Sequence, residues 1–238
     1  QAIATIRRSG MHCAVMSTVS AANIDEIPEL IDVIVEHRAD IFAFARYCPT
    51  SEDRAHQETW HVEPRRYRQF LARCWEKFSK YGASQGAERE QHCDSGTTFN
   101  LKDHLWTLFL YETGRFVIPE GLDSDTIYGG CNCGNCHITI LPTGDICACR
   151  RVAESKVGNI FEDRLPDVWI TSMEAYRNYD EFSKCSRCKL RQFCRGCPAV
   201  AKGYTGDFYG DDPQCWASEE NGQLIPKTEV HENESRSA

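Results

Sequence analysis

The chemistry of this chain is concentrated in its cysteines, because ten of the fourteen in 238 residues lie between positions 131 and 215. A Cys-x2-Cys pair brings two thiolates together in a short loop, which is the spacing of metal ligands. A disulfide framework is the alternative, but closely spaced pairs crowd thiols that disulfides would spread apart. The ten cysteines are Cys131, Cys133, Cys136, Cys147, Cys149, Cys185, Cys188, Cys194, Cys197 and Cys215.

The spacing of these cysteines resembles that of a SPASM domain, the C-terminal auxiliary-cluster domain of radical S-adenosylmethionine (SAM) enzymes that modify peptides and proteins. The matching positions are Cys131, Gly144 with Cys149 five residues later, Cys185-x2-Cys188-x5-Cys194-x2-Cys197, and Cys215. The resemblance covers residues 127–217 closely, and it includes the words Cys194-Arg-Gly-Cys-Pro198 and Asp212-Pro-Gln-Cys-Trp216. One departure is the spacing between Cys194 and Cys197, which is two residues where some relatives have three.

The resemblance implies two auxiliary [4Fe–4S] clusters held by cysteine thiolates. It assigns the second cluster to Cys185, Cys188, Cys194 and Cys215, and the first to Cys131, Cys149 and Cys197. The fourth ligand of the first cluster stays open among Cys133, Cys136 and Cys147. Coordination by thiolates alone suits [4Fe–4S] clusters and zinc equally.

The resemblance also implies an activity for the complete enzyme. With SAM and a third [4Fe–4S] cluster, it would form a 5′-deoxyadenosyl radical and take a hydrogen atom from a peptide or protein. The product would be a crosslink, an oxidation or an epimerisation, with flavodoxin or ferredoxin as electron donor and the auxiliary clusters in electron transfer or substrate binding. Relatives that oxidise a protein cysteine or serine carry an aspartate after the cysteine matching Cys149. Here that residue is Arg150, so no catalytic base is carried over.

One defining feature of radical SAM enzymes is missing from this sequence. A Cys-x3-Cys-x2-Cys loop, which holds the SAM-binding cluster, occurs nowhere in it. We therefore expect the chain to be the C-terminal portion of a longer enzyme and to be inactive alone. The alternative function is a zinc-stabilised four-cysteine binding module without catalysis.

The elements before the cysteines predict an α/β fold. Residues 2–9 form a predicted helix that ends at Gly10, and residues 12–16 and 41–45 are apolar runs typical of strands. Between those two runs, residues 24–38 have a helical apolar face. Strand, helix and strand with short connections predict parallel pairing. This unit is similar to the end of the radical SAM partial (β/α) barrel, which places Arg46 at a strand end, as a SAM or substrate contact or as a structural ion-pair residue.

A helical bridge is predicted over residues 64–126. Residues 64–81 form an amphipathic helix with Cys74 on its apolar face, residues 82–98 form a mobile loop, and residues 101–112 form a helix capped by Asn100. Asp103 and His104 stand together at the start of this second helix. They serve either in proton transfer or as a structural pair, with Asp103 favoured by the helix dipole.

The remaining chain gives a small cysteine-rich domain and a tail. A β-hairpin is predicted over residues 138–149 and a helix over 165–179, with loops holding the metal clusters. The predicted domains are thus residues 1–63 as the end of the barrel, 64–126 as the bridge, 127–217 as the SPASM domain and 218–238 as a disordered tail.

Composition restricts partners and location. The net charge of −8 argues against nucleic acid as a partner, and the sequence has no run of eighteen apolar residues that would cross a membrane. Many cysteines without a recognisable signal peptide predict a reducing, cytoplasmic location.

Overall fold

The structure is a computed structural model that describes residues 1–50, 53, 57–83, 88–220 and 223–225. The α-helices are α1 Ala2–Arg8, α2 Ile27–Glu36, α3 Gln57–Trp60, α4 Pro64–Lys80, α5 Leu105–Glu112, α6 Leu165–Ile170 and α7 Pro198–Thr205. The strands are β1 Ala14–Val19, β2 Ile41–Arg46, β3 Glu90–His92, β4 Thr98–Asn100, β5 Thr139–Ile140, β6 Asp145–Cys147, β7 Lys156–Asn159, β8 Ser218–Glu220 and β9 Gln223–Ile225.

The predicted β-α-β unit is confirmed. Strands β1 and β2 pair in parallel over six residues, from Ala14 opposite Ile41 to Val19 opposite Arg46, although β1 begins two residues later than predicted. Helix α2 connects them and buries Ile31 and Ile34 completely. The larger sheet has the order β1-β2-β4-β3, so β2 lies between two parallel neighbours.

The prediction of a loop over residues 82–98 is wrong for its described second half, which contains strand structure. Strand β4 pairs in parallel with β2 and antiparallel with β3. The Phe99 side chain is completely buried and stacks on Phe78 of α4, with ring centroids 4.2 Å apart. The Thr97 hydroxyl donates to the carbonyl oxygen of Ala39 at 2.8 Å. Strands of three residues carry too little alternation to stand out in a polar sequence, so tertiary pairing forms them.

Helix α4 is confirmed, and it supplies four aromatic side chains to the core. Its side chains pack against Trp106 of α5 through Trp75 and Phe78, with ring centroids 6.1 Å and 5.8 Å away. Cys74 is completely buried on the same face, which is the packing position predicted for it.

The helix predicted from residue 101 begins later, and its predicted cap is wrong. Asn100 ends β4, where it is opposite Glu90, and α5 starts at Leu105. Asp103 Oδ1 instead accepts a hydrogen bond from the backbone nitrogen of Leu105 at 3.0 Å. The pairing of β4 holds Asn100 in an extended backbone, so the carboxylate three residues later takes over at the helix start.

The cysteine-rich region contains the predicted hairpin and more. Strands β5 and β6 are antiparallel, and β7 extends them to a three-stranded sheet that the sequence did not predict. The helix predicted over residues 165–179 divides into α6 and a 3-10 helix, Ser172–Tyr176. Helix α7 was not predicted. It packs so closely on the end of the larger sheet that a Cβ on Gly203 would lie 2.5 Å from the carbonyl oxygen of Pro49.

Two further segments contain short regular elements where the structure describes them. The predicted disordered tail begins instead with the antiparallel strands β8 and β9, while residues 221–222 and 226–238 lie outside the described residues. The polar segment over residues 50–63 contains the short helix α3, and residues 51–52 and 54–56 lie outside the described residues. In the described ranges, no helix has the length and apolar character needed to cross a membrane.

Candidate metal centres

Four cysteines converge where the loop after residue 184 meets the chain returning before Trp216. This second cysteine group consists of Cys185, Cys188, Cys194 and Cys215. A 3-10 helix, Cys185–Arg187, turns the chain so that the backbone nitrogen of Cys188 donates to the carbonyl oxygen of Cys185 at 3.1 Å. Burial raises the pKa of Cys185, and the thiols of the other three members raise it further. The thiols of Cys188, Cys194 and Cys215 are therefore neighbours of the Cys185 thiol.

A first cysteine group forms between the hairpin and the start of α7. It consists of Cys131, Cys133, Cys149 and Cys197. Burial, followed by the neighbouring Cys197 thiol, raises the pKa of Cys131 to about 12. Burial also raises the pKa of Cys133, and the other three members of the group raise it further. Cys133 is thus a neighbour of all three cysteines that the resemblance assigned to the first cluster.

The two other sequence candidates for that position lie differently. Cys136 is exposed, and it is one residue from the isolated β-bridge that pairs Cys133 with His137. Cys147 is buried in β6. Burial raises its pKa, the Asp145 carboxylate and the Cys149 thiol raise it further, and the Lys156 ammonium lowers it.

One further cysteine, which sequence reasoning did not single out, lies beside the first cysteine group. The Cys48 thiol follows β2 and donates to the carbonyl oxygen of Ala199 at 2.8 Å. Burial raises the pKa of Cys48 to about 12, and the thiols of Cys197 and Cys149 contribute to the increase. In the sequence, Cys48 follows an Arg-Tyr dipeptide and has no other cysteine at metal-ligand spacing. Only the fold brings it close to the first cysteine group.

All fourteen cysteines, each within the described residues, are free thiols, so the disulfide alternative is not what this fold forms. Across the described part of the chain, no three His, Cys, Asp or Glu side chains lie close enough to hold a single metal ion.

Arg195 ties the loop of the second cysteine group to the beginning of the first. Its buried guanidinium donates to the carbonyl oxygens of Gly129 and Cys131, each at 3.0 Å, and to that of Arg191 at 2.9 Å. The guanidinium also lies 4.9 Å from the centre of the Tyr179 ring. Its place between Cys194 and Cys197 was the only sequence signal for this role.

Arg46 connects β2 with both groups. Its side chain is 1% exposed. The guanidinium donates two hydrogen bonds to the carboxylate of Asp212, from Nη1 at 2.6 Å and from Nη2 at 2.8 Å. It also donates from Nε to Asp103 at 2.8 Å and from Nη1 to Gln214 at 2.9 Å. Asp212 also accepts a hydrogen bond from the backbone nitrogen of Cys197 at 2.8 Å. These contacts are those of the structural ion-pair residue that the sequence offered as one interpretation of Arg46.

The approach of Asp212 to Cys197 depends on a glycine. Gly196 has a φ of 59°, and a Cβ on it would lie 2.5 Å from the Asp212 carboxylate. A side chain at position 196 would therefore force the carboxylate away from the backbone that it holds.

Asp103 and His104 have different surroundings. Asp103 is buried and bonded to Arg46 and to the start of α5, which favours its structural interpretation. His104 Nδ1 is buried and has no hydrogen-bond partner among the described residues. Burial lowers the pKa of His104 to about 4, although the carboxylate of Asp103 opposes this. The imidazole is therefore neutral at neutral pH.

Basic residues surround a cavity beside the first cysteine group. The cavity has a volume of about 170 Å³ and lies between the segment after β2 and the SPASM region, with Pro49, Arg150 and Lys202 among its lining residues. Burial lowers the pKa of the nearby Lys102, and the charges of Arg150 and Arg151 lower it further.

Comparison with known sequences finds similarity in the cysteine-rich region and over most of the chain. Residues 131–198 match the sequence model of the SPASM family, described as an iron-sulfur cluster-binding domain. The AdoMet-dependent heme synthase of Methanosarcina barkeri (strain Fusaro / DSM 804) is 24% identical over 225 residues, which are 90% of this chain and 58% of that protein.

Solved structures have the same fold. Streptococcus suis SuiB bound to S-adenosylmethionine has a TM-score of 0.58 at 22% identity, over 90% of this chain and 47% of SuiB. SuiB bound to the precursor peptide SuiA has a TM-score of 0.56 at 20% identity, over 96% of this chain and 47% of SuiB. Native anSMEcpe with bound AdoMet has a TM-score of 0.55 at 13% identity, over 86% of this chain and 53% of anSMEcpe.

The chain is thus an α/β protein with an iron–sulfur domain of the SPASM family at residues 131–198. Its fold is that of radical SAM/SPASM enzymes, and the resemblance drawn from the cysteine spacing is confirmed. The chain spans 58% of the length of the heme synthase and about half of the length of SuiB and anSMEcpe.

Proposed function

We propose that this chain is the C-terminal portion of a radical SAM/SPASM enzyme that modifies a ribosomally synthesised peptide or protein. The observation that carries the proposal is the assembly of eight cysteines into two buried four-thiol groups within and beside the residues that match the SPASM family. In the complete enzyme, SAM bound to a third cluster would supply the radical that removes a hydrogen atom from the substrate.

The residues present fit two [4Fe–4S] clusters. Each cysteine group offers four thiols, and thiolates are the usual ligands of such clusters. We propose the first cysteine group as the ligands of one cluster and the second cysteine group as those of the other. Cys136 and Cys147 are not ligands in this proposal.

The surrounding residues would hold these ligands in place. Arg46 and Asp212 fix the backbone before α7, and Arg195 fixes the backbone at Cys131. The thiols must lose their protons to bind iron, and burial raises the pKa of most of them. Metal binding would therefore release protons and contribute directly to folding.

The auxiliary clusters would act in electron transfer or bind the substrate. The bound precursor peptide in SuiB supports a peptide as the substrate class. The cavity lined by Pro49, Arg150 and Lys202 would be one place for part of the substrate to bind. An electron donor of the flavodoxin or ferredoxin type would complete the system.

The sequence relative supports a second candidate. The heme synthase of Methanosarcina barkeri is similar over 90% of this chain, so a heme precursor is the other substrate class to test. Incubation of the complete enzyme with SAM, a reductant and either a precursor peptide encoded beside its gene or a heme precursor would separate the two. A change in mass of the peptide would support the first candidate, and a change only in the heme precursor would replace it with the second.

The metal content tests the cluster proposal itself. After anaerobic purification, we expect about eight iron and eight sulfide per chain, as two four-iron clusters require. Stoichiometric zinc without sulfide would instead support the zinc-stabilised binding module and end the enzyme proposal.

A further inference from the structure

The guanidinium of Arg151 lies against a sulfur of the first cysteine group. Its Nη2 donates a hydrogen bond to Cys197 Sγ at 2.8 Å. Its Nη1 donates to the backbone oxygen of Arg46 at 3.3 Å, so the side chain is held from the end of β2. Cys197 itself is 3% exposed. The hydrogen bond from Arg151 therefore lies in a region where water screens charge weakly.

A positively charged hydrogen-bond donor at a cluster sulfur increases the electron affinity of the cluster. A [4Fe–4S] cluster gains one negative charge when it is reduced, and part of that charge resides on its sulfurs. A positive hydrogen-bond donor stabilises the more negative state, which is why hydrogen bonds to sulfur and net charge set the reduction potentials of such clusters.

We propose that Arg151 raises the reduction potential of the cluster at the first cysteine group by donating a hydrogen bond to the sulfur of Cys197. This inference rests on the proposed function, since it requires an iron–sulfur cluster at that group.

The second cysteine group has different surroundings. Cys188 Sγ accepts a hydrogen bond from the backbone nitrogen of Leu190 at 3.5 Å, which is longer than the contact from Arg151. The backbone groups of Gly196 and Ala217 donate in the same way to Cys194 and Cys215, and all three donors are neutral. The nearby ammonium of Lys184 donates to the carbonyl oxygen of Cys215 at 3.3 Å. A carbonyl oxygen, and not a sulfur, thus accepts this hydrogen bond from the lysine.

Arg150 provides a matched control, because it carries the same charge one residue away from Arg151. It is exposed, and within the described part of the chain its guanidinium makes no hydrogen bond to a cysteine sulfur. Replacement of either arginine by glutamine removes one positive charge, but only Arg151→Gln removes the contact with Cys197. Arg151→Lys keeps the charge and loses the planar guanidinium.

The test is a potentiometric titration of the reconstituted chain, followed by electron paramagnetic resonance, with dithionite supplying one electron per cluster. In Arg151→Gln, we expect one of the two clusters to lose about tenfold in its ratio of reduced to oxidised form at a fixed potential. For a one-electron couple this is a fall of about 59 mV. In Arg150→Gln we expect both potentials to stay close to wild type, and in Arg151→Lys an intermediate fall.

The outcomes separate this inference from the proposed function. Two intact clusters with the same potentials in Arg151→Gln, Arg150→Gln and wild type would overturn the role of Arg151 and leave the proposed function standing. Equal falls in both glutamine variants would also overturn it, because general charge and not the hydrogen bond would then be responsible. A wild-type chain that binds zinc and no iron would overturn both. Should Arg151→Gln fail to assemble its cluster, the titration of Arg151→Lys decides, and a wild-type potential there counts against the proposal.

Discussion

Arg46 and Asp212 form a buried two-point ion pair between positions 166 residues apart in the chain. Each side chain is 1% exposed. Asp212 also accepts a hydrogen bond from the backbone of Cys197, so the pair joins the end of β2 to the first cysteine group. Because water does not hydrate either of these buried charges, each is stabilised mainly by its oppositely charged partner.

We expect Arg46→Met to lower the free energy of unfolding by about 3–5 kcal/mol, since it leaves the carboxylate of Asp212 buried without its partner. Denaturant unfolding, followed by tryptophan fluorescence, measures the change. Arg73→Met is the matched control, because Arg73 pairs with Asp25 at the surface and should contribute at most about 1 kcal/mol. Equal losses in the two variants would show that the buried pair has no special role.

The second cysteine group gives a prediction for iron content. Cys188→Ala or Cys194→Ala should remove one of two clusters and therefore about four of about eight iron atoms per chain. Cys74→Ala should keep all the iron, because this thiol is completely buried in the aromatic core. Iron and sulfide assays after anaerobic reconstitution measure this. Equal iron loss in the Cys74 and Cys188 variants would contradict the assignment.

The fourth ligand of the first cluster can be tested in the same way. Cys133→Ala should remove the first cluster, since Cys133 interacts with the other three members of its group. Cys136→Ala and Cys147→Ala should keep two clusters, because the first thiol is exposed and the second lies in β6. Loss of iron in Cys136→Ala with full retention in Cys133→Ala would reverse this assignment.

His104 gives a pH-dependent prediction. Its pKa falls from an ordinary value of 6.5 to about 4 in the folded chain, so the folded state binds fewer protons than the unfolded state between those values. Stability from this group is complete above pH 6.5 and is lost as the pH falls toward 4. Between pH 7 and pH 5 we expect wild type to lose about 1–2 kcal/mol more than His104→Gln.

Denaturant titrations of wild type and His104→Gln at the two pH values give the difference in stability loss. Effects of acid on the cysteines are common to both proteins, so they cancel in this difference. A wild-type protein whose acid sensitivity equals that of His104→Gln would show that the imidazole is not held neutral by the fold.

The sequence determined the features that depend on local periodicity and on cysteine spacing. The apolar faces of α2 and α4 have enough turns to be read directly, and the apolar run that leads to Arg46 is most of the six-residue strand β2. Since a short loop brings its own thiols together, the spacing from Cys185 to Cys197 was sufficient to indicate the SPASM domain.

The tertiary structure determined the contacts between residues that are separated in the sequence by more than one helical turn or one short loop. Strand β4 exists because it pairs with β2, and this pairing moved the start of α5 past Asn100. The position of Cys133 within its group depends on how the hairpin meets α7. The partners of Arg46 depend on a chain segment that returns far along the sequence. Contacts of this kind cost loop-closure entropy that only burial and charge pairing across the whole fold offset, so no local pattern records them.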